Sequence, residues 1–261
     1  MSFNDHQKNR VAWNEMVEVH IKHPSGKLKE FLSGWCSLKE IELNEVGDVS
    51  GKTLLHLMCQ YGLDSLSWAK RGAKVFGVDI SDNSIDNAKM IKEKSKIENA
   101  SFIREDVLKL QGAIKEKFEI VFQSYGTHVW ISDIYKWAEV VASYLLPGGF
   151  LYIIDQHPIC VIYQTQEMTY FSREPQRYKG ENDYLDRQYK IKNELVEWQH
   201  PLSEIINAVI KSGLSIEFVH EFDKGFYQVE DDWYQEGDYW YPPGGPCRYP
   251  LMFSLKAHKP Q

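Results

Sequence analysis

No apolar run in this chain approaches the ~18 residues a membrane helix needs, so no span is expected. The first residues, "MSFNDHQKNRVAWNEM", lack the apolar core of a signal peptide, and the expected location is cytoplasmic. Cysteine is sparse. Cys36, Cys59, Cys160 and Cys247 lie far apart with no CxxC pair, which points to buried thiols and away from zinc or any other metal. Excess positive charge is missing too: 30 Lys and Arg against 37 Asp and Glu give −7, a poor match for a phosphate backbone. The basic runs "KMIKEKSK" and "KEK" are interleaved with Glu and read as solvated helix faces, so a small or uncharged substrate is favoured over nucleic acid. Glycine is scarce where it would be most telling, because "HLMCQYG" after the first strand lacks a GxGxxG fingerprint and keeps only Gly62.

What is present is regular alternation. With 43% apolar and 26% charged residues, 261 positions suit a globular chain with a sizeable core, read as a single domain. Residues 1–50 form a helical cover, in which Trp13, Met16, Val17, His20 and Ile21 share one face up to Pro24, and a short helix runs from Leu28 to Leu32. From 52 to 155 the strands "TLLHLMC", "KVFGVD", "SFIRED", "FEIVFQS" and "FLYIIDQ" alternate with helices. Asp64 is the expected N-cap of the first of these helices, and a Pro-Gly-Gly turn is expected after the last. That order predicts an α/β fold, a doubly wound Rossmann-like sheet. Two inserts, 156–199 and 222–248, lie beyond strand ends, where open α/β sheets build their ligand crevice, and are expected to form a substrate lid. "PLSEIINAVIKSG", "LSIEFVHEF" and "YPLMFSLKA" supply a further helix and two strands.

The chemistry is carried by acids at strand ends. Asp79 ends the second strand, seventeen residues beyond Gly62, where a carboxylate can accept from both hydroxyls of a ribose; the competing reading is a helix N-cap. Asp106, in "REDV" after the third strand, is placed to contact an adenine or to cap a short helix. Together with a tight turn presenting free N–H groups, the pair points to an adenosine-bearing ligand.

On "LLHLMCQYG", "VFGVDIS", "REDV" and "LLPGGFLYIID" the stretch from Lys52 to Asp155 resembles the class I S-adenosylmethionine-dependent methyltransferases. A bacterial subgroup with an "LHLxCxxG" turn is similar in particular, through "SYG" and "HPLSEIINA". The resemblance implies a seven-stranded sheet of order 3-2-1-4-5-7-6 with the last strand antiparallel, and S-adenosylmethionine lying across the ends of strands one to four. It implies donor contacts from Leu57, Gln60, Gly62, Asp79, Ile80, Asp106, Val107 and Gln123. The sequence departs from the family at His56, where an acid is usual, and at Met58 and Gln60, where glycines are; the Gln60 amide is free to replace a missing contact.

A methyl acceptor with an O–H or N–H benefits from a nearby base, and His128 and His157, just after strands four and five, are the candidates. His20, His23 and His200 read as structural. Eight of the twenty residues from Phe222 to Tyr241 are aromatic; they either pack over the sheet edge or build an acceptor pocket for a flat or cationic molecule. Trp13, Tyr125, Trp233 and Tyr239 are the expected wall residues, and Asp231, Asp232, Glu236 and Asp238 would suit an amine. The expectation is a small-molecule methyltransferase, monomeric or homodimeric, that needs no metal. Its rivals are a degenerate, non-catalytic cofactor-binding or interaction module and, less favoured, a nicotinamide-dependent oxidoreductase.

Overall fold

A computed structural model describes residues 2–160, 169–244 and 247–261. Expectations for 161–168 in the first insert and 245–246 in the second lie outside the described residues. Seven strands form the main sheet: β1 (Thr53–Leu57), β2 (Lys74–Asp79), β3 (Ala100–Arg104), β4 (Phe118–Ser124), β5 (Leu145–Gln156), β6 (Ser215–Phe222) and β7 (Met252–His258). Their order is β3-β2-β1-β4-β5-β7-β6; β1 to β5 run parallel, and β7 pairs antiparallel with β5 and β6. This is the expected order, with the antiparallel strand where it was expected.

The helices are α1 (Ser2–His20), α2 (Leu28–Leu32), α3 (Glu40–Val46), α4 (Leu63–Lys70), α5 (Asp82–Lys94), α6 (Ile134–Tyr144) and α7 (Leu202–Lys211). The period-2 pattern of the central strands sorts their side chains onto two faces. Leu54, Ile120, Phe122, Tyr152 and Ile154 pack with Trp68 of α4 and Ile85 and Ile91 of α5, together with Val17 and Phe31 of the N-terminal cover. Leu55, Val121, Leu151 and Ile153 point the other way, onto Trp137 and Val141 of α6 and Ile205 and Val209 of α7. Burying both faces leaves the ends of β1 to β5 as the accessible edge of the sheet.

Local chemistry explains the departures from expectation. Asp64 is not the N-cap of α4; Gly62, in the left-handed region, takes that position and Asp64 sits one residue inside the helix. Gly62 is required there twice over. Its φ is +79°, and a Cβ would lie 2.9 Å from Phe102 and 3.0 Å from the Ala88 methyl. Pro147-Gly148-Gly149 does not form a free turn after α6 but lies within β5, whose pairing with β4 shifts register there. Helix α3 was not anticipated; the Glu42 carboxylate closes its first turn on the backbone N–H of Lys39 at 2.6 Å.

Both inserts contain antiparallel ribbons, 176–178 with 195–197 and 234–236 with 239–241. Helix α1 crosses the open edge of the sheet and is tied down along its length. Asn9 exchanges two hydrogen bonds with the Val196 backbone, Arg10 reaches Asp82 at 2.6 Å, and Asn14 accepts from Ser81 Oγ at 2.7 Å. No helix among the described residues is long and apolar enough to cross a membrane, and no group of side chains among them could hold a metal ion.

Candidate functional site

The turn after β1 adopts a conformation its sequence does not favour. Met58 and Gln60, which stand where the resembled family has glycines, both lie in the left-handed region at φ +53° and +49°. Tertiary contacts hold them there. The Cys59 N–H donates to Val78 C=O at 2.9 Å, and the Gln60 N–H donates to Asp79 Oδ2 at 2.8 Å. The Gln60 amide then reaches outward, donating to His20 Nδ1 at 3.1 Å and lying 3.4 Å from the Tyr184 hydroxyl. His20 in turn donates from Nε2 to the buried Asp183 at 2.8 Å.

His56 fills the place of the usual acid with a neutral ring. Burial pushes it down to about 4 against the pull of Asp64, and it bridges Ser65 of α4 at 2.7 Å and Ser124 of β4 at 3.4 Å. It organises the turn by hydrogen bonding instead of by charge.

A cavity of about 310 Å³ opens over this turn. Gln60, Asp79, Ile80, Asp106 and Val107 line it, so five of the eight sequence-expected donor residues meet there, with Met58 beside them. Leu57 and Gln123 do not. Leu57 is wholly buried in the sheet core, and the Gln123 amide is spent on Thr127 Oγ1 at 2.8 Å and Trp137 Nε1 at 2.9 Å. Gly62 shapes the turn from beneath. Asp79 is not the cap of α5, a role taken by Ser81; its two oxygens accept the Gln60 and Ser81 N–H groups, each at 2.8 Å. A carboxylate offers about four acceptor positions, so two stay available for a ribose diol, and the donor set fits S-adenosylmethionine. Burial raises the Asp79 carboxyl to about 6, with the backbone N–H groups resisting. Asp106 both caps the turn 107–109 and faces the cavity. Burial works to raise it, but the hydrogen bond and charge of His6, 2.7 Å away on α1, together with the Leu108 N–H, hold it below the ordinary carboxylate value.

A second cavity, of about 270 Å³, adjoins the first and shares Trp13, Tyr125, Gly126, Trp130, Tyr184, Phe226 and Tyr227 with it. His128 and His157 line this second space, as does Glu197. The loop carrying His128 is fixed by Asp155 at the end of β5, whose carboxylate accepts from the N–H groups of Gly126, Thr127 and His128 and lies 3.0 Å from His128 Nδ1. His157 is shifted down, chiefly by burial, although Glu221 at 2.9 Å works the other way. Tyr125 is a wall residue whose hydroxyl donates to the buried Glu42 at 2.8 Å. Trp233 and Tyr239, expected in the acceptor pocket, line neither cavity. Tyr239 is buried with its hydroxyl accepting from the Ile41 N–H at 3.2 Å, and Trp233 packs over Gly225. Asp231, Asp232, Glu236 and Asp238 are exposed and outside both cavities.

Sequence reasoning missed His6, Trp130, Tyr184, Asp155 and Glu197. Asp155 had a signal, an acid at the end of a third strand of the same edge. Glu197, in "LVEWQH", had none: it is one acid among 37 Asp and Glu.

A family profile described as "Methyltransferase domain" matches residues 54–149. An uncharacterized RNA methyltransferase of Clostridium acetobutylicum is 37% identical over 75 residues, 29% of this chain, which therefore spans only 16% of that relative's length. The ubiquinone biosynthesis O-methyltransferase of Coxiella burnetii is 30% identical over 181 residues, covering 67% of this chain and 73% of the enzyme. The solved structure of an S-adenosylmethionine-dependent methyltransferase from Clostridium acetobutylicum superposes with a TM-score of 0.60 at 14% identity, over 95% of this chain and 99% of the other, and so shares the fold. The Coxiella alignment extends well beyond the profile match, through most of both chains, and the chain accordingly belongs to the class I S-adenosylmethionine-dependent methyltransferases, whose cofactor is S-adenosylmethionine.

Proposed function

We propose that this chain transfers the methyl group of S-adenosylmethionine to a small molecule held in the second cavity. The observation that carries the reading is the shared wall: one space is flanked by Asp79 and Asp106, the next by His128, His157 and Glu197, and the same rings bound both. In this reading Asp79 accepts from the ribose hydroxyls, Asp106 faces the adenine, and Lys27 and Lys39 in the same cavity supply positive charge for a carboxylate. The bound sulfonium supplies an electrophilic methyl and a good leaving group. What the chain must add is alignment and exclusion of water, and intramolecular effective molarities of about 10⁵–10⁸ M show how far alignment alone can go. His128 and His157 stand where an acceptor proton could be taken. "SYG" and "HPLSEIINA" support membership of the bacterial subgroup with the "LHLxCxxG" turn.

Two relatives carry the name RNA methyltransferase, but the shared stretch is 75 residues in each, and the charge of −7 favours a small acceptor for this chain. The test is calorimetry with S-adenosylhomocysteine, followed by turnover of S-adenosylmethionine on amines, phenols and carboxylates. Failure to bind at millimolar ligand in a folded sample defeats the proposal. Binding without any turnover leaves a cofactor-binding module instead of an enzyme.

A further inference from the structure

The second cavity has a charge pattern that narrows its ligand. Among the described residues that line it there is no Lys and no Arg, while the rings of Trp13, Tyr125, Trp130, Tyr184, Phe226 and Tyr227 surround it. Adjacent walls stand nearly perpendicular: Trp13 meets Trp130 at 84° and Tyr184 meets Tyr227 at 74°, so the rings turn corners instead of forming one flat slot. Into this enclosure the ribbon 195–197 brings Glu197. Among the described residues its carboxylate makes no hydrogen bond and no salt bridge, and burial raises it to about 7, with the charge of His128 resisting. Glu197 is half-buried among ring faces, and the charge nearest to it, His128, lies beyond salt-bridge reach and is itself 3.0 Å from Asp155, so the carboxylate lacks a paired counter-charge. An incoming ammonium would supply the missing counter-charge and meet the electron-rich ring faces at the same time.

Resting on the methyltransferase reading above, we propose that the acceptor is an amine that arrives as its cation, with Glu197 as the counter-charge that selects it over neutral and anionic molecules of the same shape; the ammonium then gives one proton to Glu197, and the freed nitrogen lone pair forms the new N–C bond as the methyl C–S bond breaks and S-adenosylhomocysteine leaves. Anions are disfavoured twice, by Glu197 and by the lack of any lysine or arginine in the described wall. Neutral alcohols gain the rings but not the ion pair. Glu197 is placed here as a specificity residue.

The test is calorimetry on the whole chain saturated with S-adenosylhomocysteine, titrated with four phenyl compounds of similar size: 2-phenylethylamine, benzyltrimethylammonium, 2-phenylethanol and phenylacetate. The two cations should bind at least about tenfold more tightly than the alcohol, with phenylacetate weakest, the scale expected of a partly desolvated ion pair with ring contacts. Glu197→Gln, which keeps the volume, should remove that order and leave the affinity for S-adenosylhomocysteine unchanged. The wild-type series stands by itself should the variant fail to fold. Equal or tighter binding of the alcohol or the anion, or no binding of either cation, overturns the proposal while the donor site survives. So does a Glu197→Gln protein that keeps the cation preference but binds S-adenosylmethionine more weakly relative to S-adenosylhomocysteine, because Glu197 would then serve the sulfonium. If S-adenosylhomocysteine itself does not bind, the donor site fails, and this inference fails with it.

Discussion

In the proposed role as ribose acceptor, Asp79 should couple donor binding to pH. Its carboxyl is raised by burial from 3.8 to about 6, so the folded protein without donor holds this proton to higher pH than the unfolded chain does. For a raised acid the sign is a cost: burying the charged form destabilises the fold fully above about pH 6, and the cost fades as pH falls toward 3.8. A ribose diol donates to the charged form. The affinity for S-adenosylhomocysteine should therefore fall about tenfold for each unit below pH 6, and Asp79→Asn should flatten that slope while weakening binding roughly 10- to 100-fold, the worth of hydrogen bonds to a charged acceptor. Calorimetry across pH 5 to 8 checks both; a pH-independent wild type argues against Asp79 as the ribose acceptor.

Gly62 makes a second prediction at the same scale. Gly62→Ala adds a Cβ 2.9 Å from Phe102 at φ +79°, and the left-handed penalty plus overpacking should cost roughly 2–4 kcal/mol, read as a lower urea midpoint at unchanged slope. Met58 and Gln60 show the opposite balance, since they occupy left-handed positions without being glycine. Gln60→Gly removes the strain but also the amide that reaches His20 and Tyr184, so it should keep the fold and loosen the cover over the donor.

Among the elements, α1 has the largest stake in the site. It carries His6 to Asp106, Arg10 and Asn14 to the start of α5, and His20 to the turn after β1, so its docking and the shape of the first cavity depend on each other. Hydrogen exchange in Ser2–His20 should slow when S-adenosylhomocysteine binds, and by more than the general stabilisation that any amide exchanging through global unfolding, such as those of β4 and β5, would show. Equal protection with and without ligand would show that the helix is not part of the site. The alternating strands and helices from 52 to 155 were legible because their apolar periods are strong, and α5 and α6 start on ordinary Ser81 and Asp133 caps, whereas the Gly62 cap of α4 was missed. Helix α3 was not legible, since "EIELNEV" is short and its capping partner is a backbone N–H. That Asp79 and Asp106 face one cavity was legible from their position at strand ends. Trp233 and Tyr239 were misplaced because aromatic density says that rings cluster, not which side of a ribbon they face.

For the whole molecule, we infer a single cooperative unit. The N-terminal cover packs into the same core as α4 and α5, and the insert residue Asp183 pairs with His20 at the centre of the cover. Thermal unfolding should show one transition. S-adenosylhomocysteine at about 100 times its Kd should add about 2.7 kcal/mol and raise Tm by roughly 5–10 °C for a chain of this size. Two separated transitions would mean that the cover folds apart from the sheet. Glu197 sets the limit of what could be read in advance at this scale, since its place in the second cavity comes from ribbon pairing and ring packing that bring together segments far apart in the chain.

The wall common to the two cavities has a kinetic consequence. Trp13, Tyr184, Phe226 and Tyr227 bound both spaces, so an acceptor seated against them in the second cavity should also restrict passage to and from the first. Turnover should then follow a compulsory order, in which S-adenosylmethionine enters first and S-adenosylhomocysteine leaves last. Product inhibition should reveal it: S-adenosylhomocysteine competitive against the donor, and the methylated product non-competitive against it.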